Sequence, residues 1–429
     1  MTFRSNRALK VPTPARVEGA GAISVRVDRG TVTDVKLEIY EPPRSFEAFL
    51  SGRAHTDPPD ITASICGICP VAYQISACSA VEDACGVGVG EPTIDLRRLL
   101  SCGEWIASHA LHIYLMHAPD FLGYDGVIGF ARDHPDLVER GLSLKKVGNA
   151  LVELISGPTM QPTKVHIGGF ARAPSGTQLR ALAGGSLRRA LDDAVATAEW
   201  VAGFDFPTFV HGHELLALVH PGQYPIEAGV PHTSSGLAFP AAAFPEHLPE
   251  DPTTANVLLT GDRTYITGPA ARYALNADRL SPLATEMAAT AALPSTYRNP
   301  YRSIAIRAVE MVYAVEEALR LIEAYEPQVP SSIEVPPRAG TGTGVAEAPR
   351  GTLFQQYTLT PDGTIASARI LPPTAQNQAG IEDDVHRLVQ DRLDLEDRAL
   401  AHECERAIRN YDPCISCAPH VLALKVVRS

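Results

Sequence analysis

Cysteine and positive charge are both scarce in this chain. Eight cysteines in 429 residues are too few for a disulfide scaffold. Lysine and arginine number 37 against 49 acidic residues, a formal net charge of −12. That balance argues against a nucleic-acid binder, whose surface must neutralise phosphates, and otherwise reports solubility. No run approaches the roughly 18 apolar residues of a membrane span. The N-terminal "MTFRSNRALKVPTPARVEG" lacks a continuous apolar core, so no signal peptide is expected and the chain reads as cytoplasmic. There is no internal repeat, no low-complexity block and no G-x-G-x-x-G dinucleotide fingerprint.

What is present is enough apolar material, 45% of residues, for a large buried core. Helical spacing of apolar residues predicts helices over 94–117, 137–155, 176–202, 302–325 and 381–408. "AISVRVDRGTVTDVKLEIY" alternates on either side of Asp28-Arg29-Gly30 and predicts a β-hairpin over about 20–41. "TLFQQYTLTPDGTIASARIL" predicts a second, turning at Pro361-Asp362-Gly363. The stretch 204–262 is rich in Pro, Gly and His and reads as short strands and loops, and 329–344 reads as a loop. The expected fold is mainly α with small peripheral β elements (α+β), a single domain over 1–429 with its helical core over about 92–410.

The cysteines are placed unevenly. "SICGICPVAY" and "DPCISCAPHV" carry two CxxC pairs, Cys66/Cys69 and Cys414/Cys417, almost the full chain apart. Both sulfurs of such a pair can point the same way from one turn, so four thiolates could surround one soft metal. Zinc ribbons bring their pairs together within about 15–20 intervening residues. Pairs this distant suit a centre closed by the whole fold. On spacing alone a buried functional metal, a structural zinc and a redox dithiol all stay open.

Together the two pairs resemble the large subunit of nickel–iron hydrogenases. Further stretches resemble the same family in order: "RVEG" (16–19), "RSFEAFLSGR" (44–53), "HALHIYLMHAPDF" (109–121), "PTKVHIGGF" and "EAPRGTLF" (347–354). The resemblance implies a nickel–iron hydrogenase-like helical core and heterolytic cleavage of dihydrogen, with a nearby base taking the proton. It implies Cys66 and Cys414 as terminal nickel ligands, and Cys69 and Cys417 as bridges to an iron that carries carbon monoxide and cyanide. Glu18 is the implied first proton acceptor. Arg350 would stand over the metals, with Asp120 and Asp412 holding its guanidinium. A magnesium is implied at Glu47, the Leu371 carbonyl and His420.

The chain departs from the family's common histidines at Tyr73, Ala20, Gln161 and Gln355. Its short length and "ICGICPVAYQ" look most like cytoplasmic, bidirectional, NAD(P)-linked members. Those imply an iron–sulfur small subunit, flavin- and NAD(P)-binding diaphorase subunits, a maturation chaperone and a protease. Cys78, Cys85, Cys102 and Cys404 are not spaced like a ferredoxin set and read as buried small hydrophobes. The metal-binding segment would be 412–420, with a tail over 421–429 that maturation could remove after His420. The competing classes are a non-catalytic scaffold relative, such as the large subunit of respiratory complex I, and a structural zinc protein.

Overall fold

The computed structural model describes residues 7–11, 14–19, 21–39, 44–251, 256–294, 296, 298–327 and 330–414. Its core is built from long helices: α1 (Pro70–Cys85), α2 (Glu91–Leu111), α3 (Pro135–Ser156), α4 (Arg188–Ala202), α5 (Ser303–Ala324), α6 (Pro373–Asp391) and α7 (Asp397–Arg409). α2 packs along α3 and α5, and α5 along α4. α5 buries apolar side chains almost all round, from Ile304 and Val309 to Leu321. That is the pattern of a helix at the centre of a domain. α2 and α3 approach backbone to backbone, because a Cβ on Gly148 would sit 2.6 Å from the Gly103 carbonyl. No helix among the described residues is long and apolar enough to cross a membrane.

Small sheets lie around this core. β1 (Arg7–Val11), β2 (Gly21–Asp28) and β3 (Thr31–Ile39) form an antiparallel sheet in that order. The expected N-terminal hairpin is present and gains a third strand. Arg29 and Gly30 turn it with φ of 49° and 82°, the paired left-handed geometry of a tight hairpin. β4 (Glu214–Val219) pairs with β5 (Val230–Thr233) and, in parallel, with β6 (Tyr265–Thr267). β7 (Gly340–Ala348), β8 (Gly351–Leu359) and β9 (Ile365–Leu371) form an antiparallel sheet with β8 in the middle.

The fold class stands as expected, with five local differences, one of them a π-helical turn at Ala183–Leu187 that interrupts the 176–202 helix. The stretch 381–408 is two helices, α6 and α7, separated at 392–396, and α6 already starts at Pro373 behind the extended Pro372. The 94–117 helix is regular to Leu111 and then widens into a π-helical turn, His112–His117. The expected loop over 329–344 contains the first half of β7. Its "GTGTG" glycines lie against the main chain of α1, with no room for side chains. α1 itself carries no apolar period, because nearly every face of it is buried.

β7 joins to β8 through a two-residue turn, Pro349-Arg350, since Ala348 pairs with Gly351. One pair of packed elements therefore presents both Cys69, at the N-terminus of α1, and Arg350, at the end of β7. A Cβ on Gly344 would meet the Ser76 carbonyl oxygen at 1.9 Å. Gly344→Ala should push β7 off α1, costing about 1–3 kcal/mol or more. The check is the melting temperature, which should fall by several degrees; an unchanged value would show that the strand can shift at no cost.

Candidate metal centre

The helix Pro58–Ala63 ends at Ser64, and the chain turns through Cys66 to Cys69, the N-cap of α1, with Pro70 in the first helical turn. Proline suits that position because its missing N–H has no intrahelical partner there. Cys69 Sγ lies 2.8 Å from Cys66 Sγ. The backbone N–H groups of Ile68 and Cys69 donate to Cys66 Sγ at 3.4 and 3.3 Å. From the other end of the chain, Cys414 Sγ comes to 3.1 Å from Cys66 Sγ. All three sulfurs are buried and lie within 4.8 Å of one another. Cys417 and His420 lie outside the described residues, as does the 421–429 tail.

Cys414 is placed from two sides. Its N–H donates to Thr374 Oγ1 at 3.0 Å, on the first turn of α6. Its backbone forms a parallel bridge with Glu18, and its thiol donates to Glu18 Oε2 at 2.9 Å. Glu18, half-buried, thus lies directly on the Cys414 sulfur.

Arg350 is buried. Its Nε donates to the Asp412 carbonyl at 2.8 Å and its Nη2 to Asp412 Oδ1 at 3.2 Å. Its Nη1 has no acceptor among the described residues. Burial by itself pulls its pKa down; Asp412 and the sulfurs of Cys414, Cys69 and Cys66 outweigh that and hold it well above the ordinary value. Behind the turn, Arg272 donates to the carbonyls of Ala348 (2.8 Å) and Pro349 (3.0 Å), and pairs with Glu310 and Glu347. Arg272 also stacks over Trp105, 4.4 Å from the ring centroid. The Arg350 turn is thus fixed by buried charge.

Asp120 does not hold Arg350. Its oxygens accept from Arg16 Nη2 (2.5 Å) and from Arg409 Nε and Nη2 (2.6 and 2.8 Å). Burial works against its ionisation, but the Arg409 hydrogen bonds and the two guanidinium charges hold its pKa below the usual range. The physical effect is a tie. Asp120 joins the segment leading to Glu18 with the end of α7 that leads to Cys414.

Glu47 and Leu371 both line one cleft of about 380 Å³. Glu47 Oε1 accepts from the Ile370 N–H at 2.7 Å, and the Leu371 carbonyl accepts from Gln376 Nε2 at 3.3 Å.

Several site residues escaped sequence reasoning. Glu104 caps α1, accepting from the N–H groups of Val71 (2.8 Å) and Ala72 (3.2 Å), and burial pushes its pKa up to about 8. Arg272, Glu310 and Glu347 were missed as a network. A charged residue inside an apolar helical run is the signal that could have found Arg272 and Glu310. Cys78, Cys85, Cys102 and Cys404 are buried apart from the cluster, and burial pushes the Cys78 and Cys404 thiols up to about 12.

A buried set of soft sulfur donors, with a carboxylate on one sulfur and the charge of Arg350 coupled to all three, has the chemistry to hold a soft metal. The sequence profile described as nickel-dependent hydrogenase matches residues 44–132 and 268–420. The alpha subunit of sulfhydrogenase 1 from Pyrococcus furiosus is 32% identical over 420 residues, 96% of this chain and 97% of that protein. The beta subunit of the NAD-reducing hydrogenase HoxS from Cupriavidus necator is 26% identical, covering 97% of this chain and 95% of that protein. The crystal structure of an NAD+-reducing nickel–iron hydrogenase in its H2-reduced state matches with a TM-score of 0.85 at 25% identity, over 97% of this chain and 100% of that one. The chain belongs to the nickel-dependent hydrogenase family. It is an oxidoreductase, a hydrogenase large subunit, and the scaffold and structural-zinc readings fall away.

Two buried imidazoles, His112 and His117, hold the segment before Cys414, and a third, His109, meets Glu310. His112 Nε2 meets the Arg409 carbonyl at 2.9 Å, His117 Nε2 meets Asn410 Oδ1 at 3.1 Å, and His109 Nε2 meets Glu310 Oε2 at 3.0 Å. Burial holds the His109 pKa down to about 4, and those of His112 and His117 well below the ordinary value. The unfolded chain takes up these protons near pH 6.5, while the folded one refuses them. The contribution of these three histidines to stability is therefore full above about pH 6.5 and is lost as pH drops towards 4. Denaturant midpoints measured from pH 7 to 4.5 should decline steadily; a flat profile would contradict the assignment.

Proposed function

We propose that this chain is the catalytic subunit of a nickel–iron hydrogenase that reversibly cleaves dihydrogen into protons and electrons. The observation that carries the reading is the Cys414 thiol on the Glu18 carboxylate at 2.9 Å, inside a cluster of three buried sulfurs. The donor set fits the cofactor. Soft thiolates suit nickel and iron, and the Arg350 Nη1–H without an acceptor among the described residues suits an anionic ligand such as cyanide.

Cys66 and Cys414 would hold nickel terminally, and Cys69 and Cys417 would bridge it to an iron carrying carbon monoxide and cyanide. When bound, this pair supplies the polarisation and electron storage that heterolysis of dihydrogen requires. The chain's own residues do the rest. Glu18 receives the proton released beside Cys414 and hands it outward. Arg350, fixed by Asp412, offers positive charge to the anionic face of the centre. Asp120 keeps Glu18 and Cys414 in register through Arg16 and Arg409. Glu47 and the Leu371 carbonyl supply hard oxygen donors for a magnesium, with His420 as its third protein ligand.

Electrons leave through a partner. The four remaining cysteines are scattered and form no second cluster among the described residues. The partners are an iron–sulfur small subunit and, by likeness to the NAD-reducing relative, flavin- and NAD(P)-binding subunits. The assembled enzyme would work in the cytoplasm. A maturation chaperone and a protease cutting after His420 complete the proposal.

Glu18→Gln keeps the shape of the side chain and removes its proton affinity. Hydrogen turnover should fall by about 10²-fold or more, with nickel content unchanged. Full turnover at full nickel loading would place the proton acceptor elsewhere.

A further inference from the structure

Away from the cysteines, three other donor atoms converge. His213 Nε2 lies 2.9 Å from Asp384 Oδ1 and 3.7 Å from Asp383 Oδ2, and the three ligand atoms fall within 4.8 Å of one another. We propose that His213, Asp383 and Asp384 bind a divalent cation, zinc by donor chemistry, at a site distinct from the cysteine centre.

A zinc ion about 2.0–2.2 Å from nitrogen and oxygen ligands in tetrahedral geometry spaces those ligands about 3.3–3.6 Å apart. The two separations from His213 Nε2, 2.9 and 3.7 Å, bracket that range, and a cation would take the place of the hydrogen bond between His213 Nε2 and Asp384 Oδ1. Imidazole and carboxylate donors select zinc or a neighbouring first-row metal over the soft chemistry of the thiolates. The ligands are also oriented from behind, as metal ligands are. His213 Nδ1 lies 3.0 Å from Thr264 Oγ1. The Tyr411 hydroxyl donates to Asp384 Oδ2, leaving Oδ1 for the site. The His211 ring stacks on the His213 ring, 5.1 Å between centroids and 21° between planes.

Access is through Asp383. The side chains of His213 and Asp384 are buried, whereas that of Asp383 is 35% exposed. Arg387 Nη2 pairs with Asp383 Oδ2 at 2.8 Å, and its own side chain is 46% exposed. It can swing into solvent as the cation enters. The site joins three distant segments: the residue before β4, the middle of α6, and Tyr411, three residues before Cys414. A cation there would clamp the root of the C-terminal cysteine segment to the body of the protein.

The test uses the full chain with its partner subunits. The purified enzyme is equilibrated with zinc chloride, desalted and measured for zinc and nickel. About one zinc per chain is expected at a four-coordinate site, with nickel unaffected. His213→Ala should weaken zinc binding by at least about 10-fold and leave nickel in place. Asp383→Asn, changed at the exposed edge where folding is not at risk, should weaken it similarly at an unchanged melting temperature without zinc. The proposal is overturned if the wild type takes up no zinc, or if both variants take up as much as the wild type. Nickel, read in the same samples, tests the cysteine centre separately.

Discussion

The sulfurs of Cys66, Cys69 and Cys414 lie within 4.8 Å of one another in a buried space, and negative charge gathered there has to be met from inside the protein. Water cannot do it. The chain supplies the N-terminus of α1, two N–H groups on Cys66 and the guanidinium of Arg350. Each of these is a buried polar group that in turn needs its own partners. The shell around the centre follows from that requirement: Asp412 on Arg350, Glu104 on the first turn of α1, and Thr374 on the Cys414 N–H.

Rigidity comes from sharing elements. β7 lies on α1 through glycines that leave no room for side chains, so Cys69 and Arg350 sit on one packed unit. A second fixed unit is the Asp120 tie, which draws Arg16 and Arg409 together and so holds the Glu18 segment beside that of Cys414. Buried ion networks of this kind are weak evidence for net stability, but removing one member leaves an uncompensated charge. Their value here is geometric. They hold a carboxylate, a thiol and a guanidinium in fixed relation while the backbone between them spans hundreds of residues.

Much of this is legible in the sequence. The CxxC pairs pointed to metal or redox chemistry, and the family resemblance narrowed that to nickel and iron. By resemblance, "EAPRG" and "RVEG" singled out Arg350 and Glu18, which lie against Asp412 and Cys414, and both hairpins followed from alternation and turn residues. What stayed hidden has physical reasons. "GTGTG" read as a loop because strand propensity ignores glycine packing on a helix. α1 lacks a period because it is buried on nearly every side. Asp120 was paired with the wrong arginine, since sequence shows that a buried carboxylate needs a partner but not which of several guanidiniums reaches it. The Arg272–Glu310–Glu347 network joins residues on separate elements that no local pattern connects.

The central claim is that the paired cysteines hold nickel and iron together. Elemental analysis of the purified enzyme, beside a Cys414→Ser variant, tests it most directly. Nickel and iron should both be present in the parent, and nickel should be lost from the variant along with hydrogen uptake and evolution. Nickel retained at the parent's level in Cys414→Ser, or zinc in place of nickel in an active parent, would contradict the account.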